Sequence, residues 1–227
     1  MNPIIEKCML TDEQRYIILQ GIKEGKQKYE ELTALLPDTI TKKHTPFLQS
    51  DLVNTYIAKQ IMENPHTQMK VYTQRAGSHP YIVVQDTTRN IFVLVSKLSK
   101  TKYMPNPSDY RGDFSLSNVE RLLEMGASIE EIYGEKIPYQ EFLPLGIENQ
   151  PFGIIICYDG KSDTVFEGAL RPDQEDWIYK ENITEYLNIN TKTIVPLDNY
   201  QLSDIQTSLK KSTEDDIVLK LKEKTTS

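Results

Sequence analysis

The chain has 227 residues and a mass of 26.2 kDa, which is enough for one large domain or two small ones. Hydrophobic residues make up 38% of it and charged residues 26%, a composition that allows a buried core and excludes collagens and coiled coils. No apolar run approaches the roughly 20 residues of a membrane helix, and the N-terminus lacks the order of a secretory signal. Cys8 and Cys157 form no disulfide framework, so we expect a cytoplasmic protein without membrane contact.

The net charge of −7 is distributed unevenly along the chain. Residues 68–111 carry 7 basic and 2 acidic side chains, net +5, whereas residues 112–190 carry 5 basic and 16 acidic side chains, net −11. Such segregation determines surface potential rather than fold. Two interpretations follow. Either the basic and acidic segments contact each other within the fold, or the basic segment binds an external anion such as nucleic acid.

The first 67 residues predict two helices. Thr11–Gln14 is a capping box, in which the Thr hydroxyl and the Gln side chain satisfy each other's backbone N–H groups. The apolar spacing that follows predicts a helix as far as Pro37. A loop then leads to Ser50, which we expect to cap a second helix over Asp51–Glu63.

The apolar period changes from 3.6 to 2 in the next segment, which predicts strands. Three of them follow one another with short connections: Gln68–Arg75, Tyr81–Gln85 and Ile91–Leu98. Short connections between consecutive strands predict an antiparallel meander. The stretch 99–113 is rich in Pro, Asn, Tyr and Lys, and is the best candidate for a linker or a functional loop.

Two more helices and a second hairpin are predicted beyond this loop. Ser117 and Ser128 each begin a capping box and a short helix. Phe152–Tyr158 and Thr164–Leu170 form the hairpin, and Trp177 begins one more strand. The predicted fold class is therefore α+β, with N-terminal helices, an antiparallel β-meander, a helical connector and a second β-hairpin sheet. The four regions are 1–67 (helical), 68–111 (basic meander and loop), 112–190 (acidic helix-plus-hairpin) and 191–227 (C-terminal helical tail).

One short motif fits metal-dependent nucleases of the restriction-endonuclease type. Such enzymes place two acids on Mg²⁺ and a lysine at the phosphate, and Glu148, Asp159 and Lys161 have that order. The alternative is a tight turn, because Asp-Gly is among the strongest hairpin signals. The sequence otherwise predicts no cofactor, and Mg²⁺ is expected only if the chain is such a nuclease.

Other catalytic signatures are weak. Cys157 lies between Ile156 and Tyr158, which predicts a buried strand position rather than a nucleophile. His44, His66 and His79 lack partners at zinc-ligand spacing. The sequence has neither a P-loop nor a dinucleotide fingerprint. We therefore predict no catalytic residue outside the nuclease alternative.

The best candidate binding stretch interleaves cations with aromatic residues. Its predicted nucleic-acid contacts are Lys97, Lys100, Lys102, Tyr103 and Arg111. Lysines track phosphates while aromatic rings stack on bases, which favours single-stranded nucleic acid. The alternative is a solvated edge strand whose lysines discourage pairing with other chains.

The order of elements resembles an uncharacterised family of bacterial and phage proteins. The resemblance rests on the helix start Ser50-Asp51-Leu52, the strand Asn90–Lys97 and the hairpin Phe152–Leu170 followed by Pro172 and Trp177. Members are of unknown function and are often thought to lie near mobile-element, toxin–antitoxin or phage-defence genes. The resemblance implies a genomic setting and no catalytic residue.

Together these observations predict a non-enzymatic cytoplasmic interaction protein in a phage-defence, toxin–antitoxin or phage accessory setting, with nucleic acid or a protein as its partner. The oligomeric state stays open. The alternatives are the Mg²⁺-dependent nuclease and an acidic protein whose residues 112–190 imitate nucleic acid toward a basic partner.

Overall fold

The computed structural model describes residues 2–35, 45–77, 79–98, 104–133 and 150–188. The α-helices are α1 (Pro3–Cys8), α2 (Asp12–Ala34), α3 (Thr45–Glu63), α4 (Asp109–Glu124) and α5 (Ile129–Tyr133). The strands are β1 (Met69–Ala76), β2 (His79–Asp86), β3 (Ile91–Leu98), β4 (Phe152–Asp159), β5 (Val165–Leu170) and β6 (Trp177–Asn182). Short 3-10 helices cover Pro65–Thr67 and Thr184–Asn188.

The six strands form one sheet in the order β1-β2-β3-β4-β5-β6. All neighbours are antiparallel except β3 and β4, which are parallel. The α+β class and the meander are thereby confirmed. The expectation of a second, separate sheet was wrong, because α4 and α5 lie between β3 and β4 in the chain and bring β4 back in the direction of β3. The apolar run Ile154–Ile156 is buried throughout, as expected of a central strand covered on both faces.

The capping signals in the sequence predicted the start of α2 correctly and the start of α3 wrongly. At Thr11 the capping box is present as predicted. α3 begins at Thr45, so Ser50 lies inside the helix and the prediction that it caps α3 was wrong. Pro46 is tolerated there because the first helical turn needs no intrahelical N–H donor.

The connector helices show the same contrast. α4 begins at Asp109, so Ser117 lies within it instead of starting it. The helix ends before Gly126, whose φ of +93° is the left-handed conformation that suits glycine at a helix end. The Ser128 capping box is confirmed: the Ser128 N–H donates to Oε2 of Glu131 (2.7 Å), and the Glu131 N–H donates to the Ser128 hydroxyl (3.2 Å).

α2 and α3 pack closely at two glycines. A Cβ atom on Gly21 would lie 2.5 Å from the Cα atom of Ile57, and one on Gly25 would lie 2.5 Å from the Cα atom of Val53. Both neighbours are backbone atoms. The two glycines, one turn apart on α2, therefore set the distance between the helices.

Successive residues of the strands point to opposite faces of the sheet. On β3, Ile91 and Val93 belong to the main core with residues of α1, α2 and α3, while Leu94 and Leu98 belong to a second cluster with Trp177. None of the helices in the described part of the chain is long and apolar enough to cross a membrane. The predicted C-terminal helices, after residue 190, lie outside the described residues.

Two polar networks fasten the start of α2 to the sheet. Arg15 Nε donates to Oε2 of the buried Glu167 at 2.7 Å, and Arg15 Nη2 donates to Glu181 at 2.8 Å. Gln14 Nε2 donates to Oδ2 of the buried Asp86 at 2.9 Å. Polar groups buried in this way cost little when they are hydrogen-bonded.

Candidate nucleic-acid interface

The carboxyl ends of the parallel pair β3 and β4 form one edge of the sheet. In the register, Lys97 lies beside Tyr158 and Leu98 beside Asp159. Ligands of sheets with parallel strands commonly bind at the carboxyl ends of those strands. Lys97, the first residue of the predicted binding stretch, is thus at the position where the topology favours a ligand.

Lys97 is exposed, and its side chain extends over the turn that follows β4. A Cβ atom on Gly160 would lie 2.4 Å from Cε and 2.9 Å from Nζ of Lys97. Glycine at position 160 therefore leaves the space in which the Lys97 side chain lies. Burial lowers the pKa of Lys97, the nearby Asp159 opposes that shift, and Lys26 adds to it. Two ammonium groups, Lys26 and Lys97, therefore act on each other at this edge.

The turn after β4 is held by its own aspartate. Oδ1 of Asp159 accepts hydrogen bonds from the backbone N–H groups of Lys161 (2.7 Å) and Ser162 (3.3 Å). This is an Asx turn, in which a carboxylate closes the backbone. The Lys161 side chain is exposed at the tip of the turn.

The turn is also anchored to both long helices. Gln49 Nε2 of α3 donates to the carbonyl oxygen of Gly160 at 2.9 Å. Lys26 Nζ of α2 donates to the carbonyl oxygen of Ser162 at 2.6 Å and lies 3.3 Å from Asp163 Oδ1. Gln49 and Lys26 are only 3% and 8% exposed, so the turn that presents Lys161 is fixed from beneath.

We name the exposed Lys97 and Lys161, with the anchored turn 159–163, the carboxyl-end surface. Sequence reasoning missed its two anchors. Lys26 follows Ile22 by four residues and so lies on the apolar stripe of α2. A lysine in such a stripe is a signal in the sequence that its ammonium group has a specific partner within the fold. Gln49 carried no such signal, because it was assigned to a loop.

The nuclease motif has a different geometry from the one its chemistry requires. Asp159 and Lys161 belong to one turn and do not alternate along a strand face, while Glu148 lies outside the described residues. Within the described ranges, no group of three or more His, Cys, Asp or Glu side chains is placed to hold a metal ion. The nuclease reading stays a prediction.

The remaining predicted contacts fall into two groups. Arg111 lies in the first turn of α4, where its guanidinium donates to the hydroxyls of Ser96 (3.2 Å) and Ser108 (3.3 Å) and to the carbonyl oxygen of Asn106. Since Ser96 and Lys97 are neighbours on β3, Arg111 and Lys97 approach the end of this strand from opposite faces. The other three predicted contacts lie outside the described residues: Lys100, Lys102 and Tyr103.

Cys157 is fully buried in β4, as predicted. Burial raises the pKa of its thiol to about 12, so the thiol stays protonated at neutral pH and is a poor nucleophile.

The acidic segment 112–190 contacts basic residues of two other segments. Arg15 and Lys26, both from the N-terminal segment, form ion pairs with Glu167 and Asp163. From the basic segment, Lys97 lies close enough to Asp159 for their opposite charges to attract each other. The acidic segment is thus partly neutralised within the fold.

No protein-family model, curated protein or solved structure matches this chain. The geometry of the carboxyl-end surface therefore carries the functional inference.

Proposed function

We propose that this chain is a non-enzymatic binding protein that holds single-stranded nucleic acid at its carboxyl-end surface. The observation that carries the proposal is the position of Lys97: it is exposed at the end of the central parallel pair, over a turn that also exposes Lys161. The chain then continues from β3 toward Lys100, Lys102 and Tyr103. Cations at this spacing suit successive phosphates, and a tyrosine suits an unstacked base.

Two exposed cations on this surface, Lys97 and Lys161, support anion binding. Burial lowers the pKa of Lys97, the charge of Asp159 opposes that shift, and Lys26 adds to it. A phosphate would therefore compete with Asp159 for the Lys97 ammonium group. Because Gln49 and Lys26 anchor the turn 159–163, the turn itself has little order to gain on binding.

The wider setting is also a proposal. We infer a cytoplasmic location from the absence of a disulfide framework in the sequence, and a phage-defence, toxin–antitoxin or phage accessory context from the family resemblance. In that context a non-catalytic single-strand binder would protect, sequester or present nucleic acid to another protein.

The test is fluorescence anisotropy with labelled oligo(dT), oligo(U) and a duplex, in low salt with EDTA. We expect both single strands to bind more tightly than the duplex, and Lys97→Ala to weaken single-strand binding. The matched control is Lys70→Ala, because Lys70 is also an exposed lysine of the basic segment but lies near the start of β1, whereas Lys97 lies near the end of β3. Absence of binding to all three probes would overturn the proposal.

The same preparation decides the nuclease alternative. If Mg²⁺ or Mn²⁺ supports cleavage of labelled DNA or RNA, and Asp159→Ala abolishes it, the chain is a nuclease and the non-enzymatic proposal is wrong. We expect intact substrates in both metals, because Asp159 already accepts two backbone hydrogen bonds that close its turn.

A further inference from the structure

β1 is an outer strand of the sheet with an unusually regular edge. It pairs with β2 over all eight of its residues, from Met69 opposite Asp86 to Ala76 opposite His79, without a bulge. Among the described residues no strand pairs with its other side. The opposite edge strand, β6, is shorter and has a register shift in its pairing with β5. Within the described ranges, the outer edge of β1 is therefore the more regular of the two edges with which an added strand could pair.

The sequence of β2 determines which backbone groups of β1 face outward. In an antiparallel pair, every second residue exchanges hydrogen bonds with its partner. Pro80 has no N–H and stands opposite Arg75, so that pair is not hydrogen-bonded. One step beyond the other end, the Thr87 N–H donates to the Gln68 carbonyl at 3.1 Å. Even-numbered residues thus bond inward to β2. The residues whose N–H and C=O groups face outward are Met69, Val71, Thr73 and Arg75.

The side chains of β1 give this edge a positive charge. Lys70, Thr73 and Arg75 are exposed, and β1 contains no carboxylate. Lys70 and Arg75 are five residues apart, so they lie on opposite faces of the sheet. A second copy of β1 paired with this edge would bring four cations along two adjacent strands, which is unfavourable. The same cations favour an acidic strand.

We propose that the outer edge of β1 binds an extended acidic segment of a partner protein by strand addition. The backbone of the partner would hydrogen-bond to the four outward-facing residues, and its acidic side chains would lie beside Lys70 and Arg75. Two acidic residues five positions apart on an extended chain point to opposite faces of the sheet. One can therefore lie beside Lys70 and the other beside Arg75. Thr73 between them favours β-branched partners. This surface is separate from the carboxyl-end surface and does not depend on nucleic-acid binding.

The probe is a labelled peptide of the pattern Glu-Val-Thr-Val-Thr-Glu, blocked at both ends, with a lysine-for-glutamate version as the control. We expect the acidic peptide to bind in low salt and the basic one to bind at least tenfold more weakly. Equal binding of the two peptides would overturn the proposal, because charge would then play no part.

Two further comparisons test the backbone pairing itself. Thr73→Pro removes an outward N–H without removing a bond to β2, and Thr73→Val keeps that N–H. We expect the proline variant to lose at least tenfold in peptide affinity at an unchanged melting temperature, and the valine variant to bind like the wild type. Unimpaired binding by a folded Thr73→Pro protein would overturn the proposal.

The peptide can be modified instead, in case the proline variant does not fold. N-methylation of one alternating set of its residues should abolish binding to the wild-type protein, and methylation of the other set should spare it. Equal effects of the two sets would overturn strand addition. A concentration-dependent dimer in sedimentation that Thr73→Pro abolishes would assign this edge to a second copy instead. Lys97→Ala should leave peptide binding unchanged, which separates this result from the nucleic-acid test.

Discussion

Arg15 and Glu167 form a buried ion pair between α2 and β5. Nε of Arg15 lies 2.7 Å from Oε2 of Glu167, and the two side chains are 5% and 0% exposed. The other oxygen of Glu167 accepts hydrogen bonds from the Leu10 N–H (3.1 Å) and the Tyr179 hydroxyl (2.9 Å). Both oxygens of the carboxylate therefore have hydrogen-bond donors within the fold, which indicates a structural role for the pair.

Arg15→Met should lower the free energy of unfolding by about 3–5 kcal/mol, because it leaves the Glu167 carboxylate buried without its counter-ion. Urea unfolding at fixed pH and salt measures the loss. The control is Lys28→Met, which removes the exposed pair with Glu31 and should change the free energy of unfolding little. A double-mutant cycle with Glu167→Gln should give a coupling energy well above zero. Additive losses would mean that the two residues do not interact.

Asp86 should make the fold sensitive to acid. Burial opposes its ionisation, but hydrogen bonds from Gln14, Thr88 and Arg89 outweigh burial and hold the pKa of Asp86 well below its ordinary value. A carboxyl with a lower pKa in the folded chain contributes stability that is fully present above its unfolded pKa of about 3.9 and is lost as the pH falls toward the folded pKa.

Asp86→Asn should therefore be less stable than the wild type at neutral pH, and the difference should shrink as the pH is lowered below about 4. Urea midpoints across that range measure it. The control is Asp51→Asn, a substitution at an exposed aspartate of α3, which should change the stability little. A constant difference between Asp86→Asn and the wild type at all pH values would contradict the assignment.

Gly21→Ala should destabilise the protein although alanine is the better helix former by about 1 kcal/mol. The added methyl group would lie 2.5 Å from a backbone atom of Ile57, and overpacking of this kind costs about 1–3 kcal/mol. Thermal unfolding measures the sign. Gly112→Ala in α4 is the control, because its Cβ atom would meet only the end of the Gln174 side chain, at 3.1 Å. If both substitutions raise the melting temperature, the helices are not in close contact at Gly21.

Nucleic-acid binding should weaken steeply with salt. Each phosphate neutralised on a single strand contributes about −0.7 to the log–log slope of affinity against salt concentration. Lys100→Ala combined with Lys102→Ala should therefore flatten the slope by about 1.4 if both lysines contact phosphates. Anisotropy titrations at several salt concentrations give the slope, and Lys70→Ala should leave it unchanged.

Tyr103→Ala tests base stacking. Its loss should weaken single-strand binding by about 1–3 kcal/mol and leave duplex binding nearly unchanged. Equal losses for the two kinds of probe would show that Tyr103 does not stack on a base.

Patterns of neighbouring residues predicted the local structure well. The run of β-branched and apolar residues in β3 placed the strand at Ile91–Leu98, as observed, and the Thr11 and Ser128 capping boxes are both present. The single sheet was not predictable in this way. The pairing of β3 with β4 joins residues some sixty positions apart, and no local period records such a contact.

In the candidate site, too, one feature was predictable from the sequence and others were not. Lys97 was found from composition, since cations and aromatic residues follow one another in that stretch. The hydrogen bond from Arg111 to the Ser96 hydroxyl could not be predicted from the sequence, because it depends on where α4 begins relative to Ser96. The anchoring by Gln49 was not foreseen either, because Gln49 meets Gly160 only after α3 and β4 are assembled.

The two glycines of α2 have a consequence for how this sequence can diverge. The atoms nearest to them are the Cα atoms of Ile57 and Val53, which every amino acid possesses. No replacement on α3 can therefore make room for a larger residue at Gly21 or Gly25. Homologues that keep this helix pair should retain glycine at both positions, however far their other residues have drifted. A homologue with a larger residue at either position should hold α2 and α3 farther apart.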